Sequence, residues 1–363
     1  MARKYCIGFL GADWWGSDAR AVAMEFRHQG HVLIERNYED YLPTKWRGSI
    51  RVLRRLFRNW MKSEYNKSVT ELLKIDGLDF LLAFKGMLLE PATLKKFIDR
   101  GVPCYCLYPD VSFQDHGNTI WRCIPLYDCV FTTKCFHVND PKVRDKTKQL
   151  RFVRHGFDPA VHRPIETDAG LSASYGCDLS FVGVWSPKKE AILTYILKCL
   201  PELDIRIWGP VWEKSASPIR SKWQGRGAYG DEASAIYSLS KINLGLLSEA
   251  GTGTQAGDQT TARTWQIPAA GGFMLHEHTK ELQEFFEANH EVATFSSQPE
   301  LIEKIEFYLS NEEDRNRVRS SGHERCHREP YTYRSAVNSI LKYHELTQAD
   351  RQQYFHTEKS TGK

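Results

Sequence analysis

The sequence predicts an α/β protein made of two doubly wound, parallel-sheet halves, and three observations carry that prediction. Its 363 residues, 41% of them hydrophobic, are enough for two cores of ordinary size. Short apolar runs alternate with amphipathic ones, as in a parallel sheet covered by helices on both faces. One stretch rich in Pro, Gly, Ser and Asp, FDPAVHRPIETDAGLSASYGC, interrupts the alternation, which then restarts. The expected division is 1–160, 161–335, and a last helix with its tail, 336–363, able to pack back on the first half.

In the first half YCIGFL reads as a strand, GADWWGSD as a loop, and DARAVAMEFRHQG as a helix ending on glycine. HVLIER and DFLLAFKG follow as strands. PATLKKFIDRG opens on proline and closes on glycine, the punctuation of a helix. PCYCLY, DCVFTT and LRFVRHG complete the strands. In the second half DLSFVG, DIRIWG, KINLGLL and FML are strands, alternating with the helices PKKEAILTYILKCL, DEASAIYSLS and TTARTWQIPAAG. PELIEKIEFYLS, NEEDRNRVRSSG and TYRSAVNSILKYHEL read as surface helices.

Several classes are disfavoured. No run approaches a membrane span, and the start turns polar too early for a secretory signal, so a soluble, cytoplasmic protein is expected. The nine cysteines form no C-x-x-C, which favours reduced thiols. Cys104, Cys106, Cys123, Cys129, Cys135 and His137 match no common zinc spacing. G-x-G-x-x-G after a strand is absent, and so is a P-loop. Net charge is +4, but residues 45–67 hold eight Lys or Arg against one Glu. Ile50, Leu53, Phe57 and Trp60 fall at helical spacing, with arginines at 51, 54, 55 and 58 on the other side. This is either a solvated basic face above a packed apolar one, or a surface for an anionic partner: nucleic acid, or an acidic membrane that would hold the protein peripherally.

In doubly wound sheets ligands bind beyond the carboxyl ends of the strands, where GADWWGSD, GVWSPKK and GTGTQAGDQTT lie. The stretch GDQTTARTWQIPAAGGFML concentrates the chemistry. Thr260 and Thr261 are N-cap residues, so a helix N-terminus suited to diphosphate begins there. Arg263 and Gln266 share a face of that helix, and Asp258 precedes it by a few residues. An acid for sugar hydroxyls, a cation for phosphate and an amide for ribose would describe a nucleotide-sugar site. The same spacing fits an Asp–Arg surface pair ahead of an ordinary buried helix.

DQTTARTWQIPAAGGFMLHE, FVGVWSPKKEAIL, IRIWGPVW, KINLGLL and FDPAVHRP, in this order, resemble the glycosyltransferases related to spore maturation protein CgeB, a branch of the two-domain GT-B superfamily. The resemblance is strongest from about 150 to 335. It implies two Rossmann-like domains facing across a cleft, and sugar transfer from a nucleotide sugar, with UDP and retention of configuration. In the retaining members two acids separated by seven residues hold the donor. Asp258 and Gln266 stand at that spacing, with Gln where the family commonly carries Glu. Gly183, Trp185, Lys188, Lys189, Thr261 and Arg263 are then implied around the diphosphate, and Trp208, Gly209 and Tyr229 near the base.

The sequence contains no D-x-D, so Lys189, Arg263 and the helix N-terminus are the expected stabilisers of the departing diphosphate, with no cofactor and no metal. The acceptor is expected at the first half, whose loops carry Asp13, Trp14, Trp15, Asp110, Asp115, His116 and His155, with Asp110 a candidate base. Acceptor classes from small molecule, glycan or protein to lipid-linked substrate or modified DNA base stay open. So does a non-catalytic, coat-associated protein of the same fold, which Gln266 keeps in play.

Overall fold

The computed structural model describes residues 3–42, 50–114, 117–166, 168–216, 218–251, 257–329 and 331–361, with side chains left undescribed at 50–55 and 350–361. Six parallel strands form the first sheet: β1 Cys6–Leu10, β2 Val32–Arg36, β3 Phe80–Phe84, β4 Cys104–Tyr108, β5 Cys129–Thr132 and β6 Leu150–Phe152, in the order β2-β1-β3-β4-β5-β6. Five form the second: β7 Leu179–Val182, β8 Ile205–Trp208, β9 Ile242–Gly245, β10 Met274–Glu277 and β11 Ala293–Phe295, in the order β11-β10-β9-β7-β8. In both sheets the second strand lies on one side of the first and the third on the other. The switch points are therefore β1/β3 and β7/β9.

FLLAF and CYCLY, the second and third interior strands of the first sheet, are buried at every position because helices cover both faces. VLIER, at the sheet edge, is partly exposed throughout. The helix Asp18–His28 buries Ala19, Val22, Ala23 and Phe26 at helical spacing; the Ser17 Oγ caps its start by accepting from the Ala19 N–H at 3.2 Å. One face of this sheet packs against the helix Arg334–Thr361 through Val337, Ile340 and Tyr343. The Tyr105 hydroxyl and His344 Nδ1 lie 3.0 Å apart there, fixing a segment of the chain's end to β4. Truncating Phe80 at the centre of this cluster to Ala would cost about 3–5 kcal/mol.

Three features depart from expectation. β11 was not anticipated, since three residues are too few for a periodic signal. The polar stretch between the halves contains a helix, Ala169–Tyr175, capped by Asp168, which accepts from the Leu171 N–H at 2.7 Å. The basic segment does form a helix, Ile50–Thr70, but the described part of its expected apolar face, Phe57 and Trp60, is not packed; the side chains of Ile50 and Leu53 lie outside those described. Phe57 is 50% and Trp60 61% exposed, with Leu56 at 71% beside them. The helix is anchored instead by Tyr65 and Val69 near its end. Lys45 and Arg47 lie outside the described residues.

The cysteines are free. Cys104, Cys106, Cys123 and Cys129 are buried as small hydrophobes, with burial pushing the last two thiols up to about 12. Among the described residues no helix is long and apolar enough to cross a membrane.

Candidate active site

The carboxyl ends of β1, β3 and β7 meet around a cavity of about 310 Å³. Trp14, Asp18 and Lys85 line it from the first half, and Gly183, Arg263 and Gln266 from the second. Two glycine contacts allow this approach. Gly16, at φ +89°, would put a Cβ 2.5 Å from the Gly230 backbone nitrogen, so the two halves touch through bare backbone. Within the second half, a Cβ on Gly209 would stand 1.8 Å from the Gly183 carbonyl oxygen. Trp14 meets Tyr229 edge-on with ring centroids 5.3 Å apart, and Trp15 donates to Asp231 at 3.1 Å while lying beneath Arg20. Both tryptophans of GADWWG thus join the two halves.

The helix Ala262–Ala269 starts at an extended Thr261, whose N–H donates to the Thr264 Oγ1 at 2.9 Å. In its first turn Arg263 donates through Nη2 to the Leu246 carbonyl at 2.6 Å and stacks on Phe181. Lys189 sits in the first turn of the helix Pro187–Cys199, 1% exposed, donating to the Ser248 Oγ at 2.8 Å and the Val184 carbonyl at 3.2 Å. Burial, and then the repulsion of Arg263, push its ammonium down to about 7; burial also lowers Arg263. Among the described residues neither cation has a carboxylate in ion-pair contact. Two neighbouring, desolvated, like charges are costly unless an anion joins them. Lys188 differs, its Nζ lying 2.5 Å from Glu277 Oε2.

Asp258 is buried at 9% exposure, and its Oδ1 lies 2.8 Å from the Nζ of Lys134, which follows β5 in the other half. This ion pair is buried on both sides and ties the halves together. A second cavity of about 480 Å³ opens beside it, lined by Phe136, Lys188, Ser248, Asp258 and Glu277. Gln266 belongs to the first cavity, where its Nε2 donates to the Asp18 Oδ1 at 3.5 Å. Asp258 and Gln266 therefore line different cavities, and Lys189 feels the charge of both Arg263 and Asp258.

The remaining candidates divide. Thr261 is buried beneath the helix start and Gly183 lies against Arg263. Asp110 is held by Lys85 at 2.9 Å, and Asp13 accepts from the Asn37 amide at 2.7 Å. His155 is buried 3.4 Å from the Tyr333 hydroxyl and pushed down to about 3 by burial, so it is neutral. Trp185 does not line the cavity: its indole donates to Glu190 at 2.6 Å and faces a separate hollow with Pro187 and Tyr195. Trp208 offers no face to a base either, being 1% exposed against Ala228 and Ile236. Asp115 and His116 lie outside the described residues, as does 252–256 of the glycine loop. Among the described residues no group of three or more His, Cys, Asp or Glu could hold a metal, and both His137 nitrogens are engaged, by Thr132 and the Val111 carbonyl.

Lys134, Asp18, Lys85 and Glu277 are the residues that sequence reasoning missed. Each follows or ends a strand or opens a helix at the cleft edge, which is a positional signal, but none sits in a distinctive motif.

Over residues 189–342 the chain matches the family model described as glycosyl transferase-like. No curated protein matches the sequence at a significant level. Among solved structures it is similar to sucrose-phosphate synthase from Thermosynechococcus elongatus, at TM-score 0.62 and 12% identity over 95% of this chain and 100% of that one. A glycosyltransferase from Rickettsia africae aligns at TM-score 0.59 and 13% identity, over 95% of this chain and 98% of that one. HepE of Anabaena, in complex with UDP-glucose, aligns at TM-score 0.59 and 11% identity, over 95% and 99%. The chain has the two-domain GT-B glycosyltransferase fold, and its second half is glycosyl transferase-like in sequence.

Proposed function

We propose that the chain is a retaining, CgeB-like glycosyltransferase that takes its sugar from a UDP-sugar, inside the cell and without a metal. The observation that carries the reading is the pair of desolvated cations, Lys189 and Arg263, which repel each other beside the start of the helix Ala262–Ala269. A diphosphate is the anion of fitting size and charge. Its oxygens would take the guanidinium, the ammonium and the free N–H groups of the first helical turn. When the bond from the anomeric carbon to the phosphate breaks, the electron pair leaves with the diphosphate, and these fixed positive groups stabilise it. The acceptor oxygen bonds to the anomeric carbon and passes its proton to the leaving diphosphate oxygen. The UDP assignment is supported by the same fold holding UDP-glucose in HepE, and retention rests on the resemblance to the retaining members of the superfamily, not on the residues themselves.

Of the acceptor surfaces, exposed Leu56, Phe57 and Trp60 beside Arg58 favour an acidic lipid face over DNA, since apolar side chains enter the interfacial layer and contribute little to phosphate contacts. Flotation with phosphatidylserine vesicles, compared with salt-dependent binding to duplex DNA, separates the two.

The donor reading is tested by thermal unfolding with UDP, GDP, CMP and their sugar conjugates, with and without EDTA. UDP at about 100 times its dissociation constant should stabilise the fold by roughly 2.7 kcal/mol, unchanged by EDTA and lost in Arg263→Ala. No shift with any nucleotide would replace this reading with that of a non-catalytic protein of the same fold.

A further inference from the structure

Asp18 and Gln266 come from opposite halves and meet across the first cavity, the amide Nε2 donating to the carboxylate at 3.5 Å. Several contacts hold Asp18 there. It is the first residue of the helix Asp18–His28, with Ser17 as its cap, and the buried Tyr333 hydroxyl hydrogen-bonds to it. Tyr333 in turn lies 3.4 Å from His155, so the carboxylate is braced from behind by a buried layer. The 3.5 Å contact is long, and the two groups have further bonding capacity: a carboxylate accepts several hydrogen bonds, and an amide both donates and accepts. A carboxylate and an amide side by side at the wall of a cavity match two adjacent hydroxyls, one donating to the acid and the other bonding the amide. They line the same cavity as Arg263, where the diphosphate would sit.

We infer that Asp18 is a donor-binding residue, and that it and Gln266 together grip the vicinal diol of the ribose, one from each half. This rests on the nucleotide-sugar reading above and deepens it. Recognition of the diol then requires the two halves to be closed on each other, because neither half carries both groups. It also assigns a physical reason to the glutamine. Burial already holds the Asp18 carboxyl above its usual range, so a second acid at 266 would crowd a site that disfavours negative charge, whereas the amide donates to Asp18. The acid is present in the site, on the other wall.

The experiment is a comparison of UDP with 2′-deoxy-UDP by titration calorimetry, on the wild type and on Asp18→Asn, Gln266→Glu and the double exchange. The wild type should prefer UDP by about tenfold or more, as expected when a buried hydrogen-bonding group loses its hydroxyl. Asp18→Asn, which keeps the side chain's shape, should bring that ratio close to one. Gln266→Glu should weaken UDP by at least about tenfold through carboxylate repulsion, and the double exchange should recover most of the loss. Far-ultraviolet circular dichroism and melting temperature check that each variant folds. UDP binding by the wild type with no preference over 2′-deoxy-UDP, or an unchanged preference in Asp18→Asn, overturns the inference while leaving the donor reading intact. A folded wild type that binds neither nucleotide overturns both.

Discussion

The two walls of the cleft treat positive charge differently. On the amino-terminal side each described lysine at the strand ends has a carboxylate: Lys85 holds Asp110, and Lys134 reaches across to Asp258. On the carboxy-terminal side buried Lys189 and half-buried Arg263 touch, among the described residues, carbonyls, a hydroxyl and a ring and no carboxylate. A buried cation without a carboxylate partner is costly, and on the reading proposed above a diphosphate supplies the missing charge. On that reading, the diphosphate meets the unmatched pair of the carboxy-terminal wall.

The largest effect should come from the unmatched side. Arg263→Met should lower kcat/KM for transfer by about a thousandfold, the scale of removing one preorganised charge-stabilising group, with the fold retained. Lys85→Met on the matched side should cost about tenfold or less, the scale of weakening a partly exposed ion pair. Equal losses in the two variants would erase the distinction between the walls.

Asp258→Ala sharpens the contrast, because it breaks a matched pair and a proposed donor contact at once. It should abolish transfer and lower stability by about 3 kcal/mol, since Lys134 is left charged and buried. Adding Lys134→Met should restore most of the stability and none of the transfer. A double variant that regains activity would show that Asp258 serves only to hold the halves together.

Lys189 makes the unmatched charge visible through pH. Its folded-state pKa of about 7 lies below its ordinary value of 10.5. The folded state therefore disfavours the ammonium; the penalty is complete below about pH 7 and fades as pH rises toward 10.5. Lys189→Met should accordingly stabilise the ligand-free protein by about 2–4 kcal/mol at pH 6 and by little near pH 10. Binding of UDP should raise the lysine pKa, so the wild type takes up a proton at pH 8. Calorimetry in buffers of different ionisation enthalpy measures that uptake, and its absence would mean that the anion does not reach Lys189.

The fold was largely legible because strand and helix each leave a period in the sequence, and the break at FDPAVHRPIETDAGLSASYGC separated the halves. The carboxy-terminal wall was legible too. Its helix cap, Arg263 and Gln266 lie within a few residues of one another, so local spacing carries the geometry. The amino-terminal wall was not, because Asp18, Lys85 and Lys134 are far apart in sequence and become a site only when three strand ends converge. The tryptophans show the opposite failure. Trp185 sits in a loop at the cleft and Trp208 ends β8, but their side chains are taken by Glu190 and by Ala228 and Ile236. Direction of a side chain is a tertiary fact. The exposed Phe57 and Trp60 are a further instance, since helical spacing identifies an apolar face and says nothing of what lies against it.

Asp110 gives the smallest effect expected here and the finest test of the contrast. Its position at the end of β4 suits a base that takes the acceptor's proton, but its Oδ2 is 2.9 Å from the Lys85 ammonium. That carboxylate oxygen is already engaged in an ion pair. Asp110→Asn removes the charge, keeps the shape, and leaves Lys85 partly exposed to water. If the amino-terminal wall is matched structure, kcat should fall by less than about tenfold and stability by less than about 1 kcal/mol, the range of a partly exposed pair. If Asp110 is the base, kcat should fall by a hundredfold or more and the acidic limb of its pH profile should vanish. The second outcome would mean that a paired carboxylate on this wall does chemistry, and that the pairing of charge no longer separates the acceptor side from the donor side.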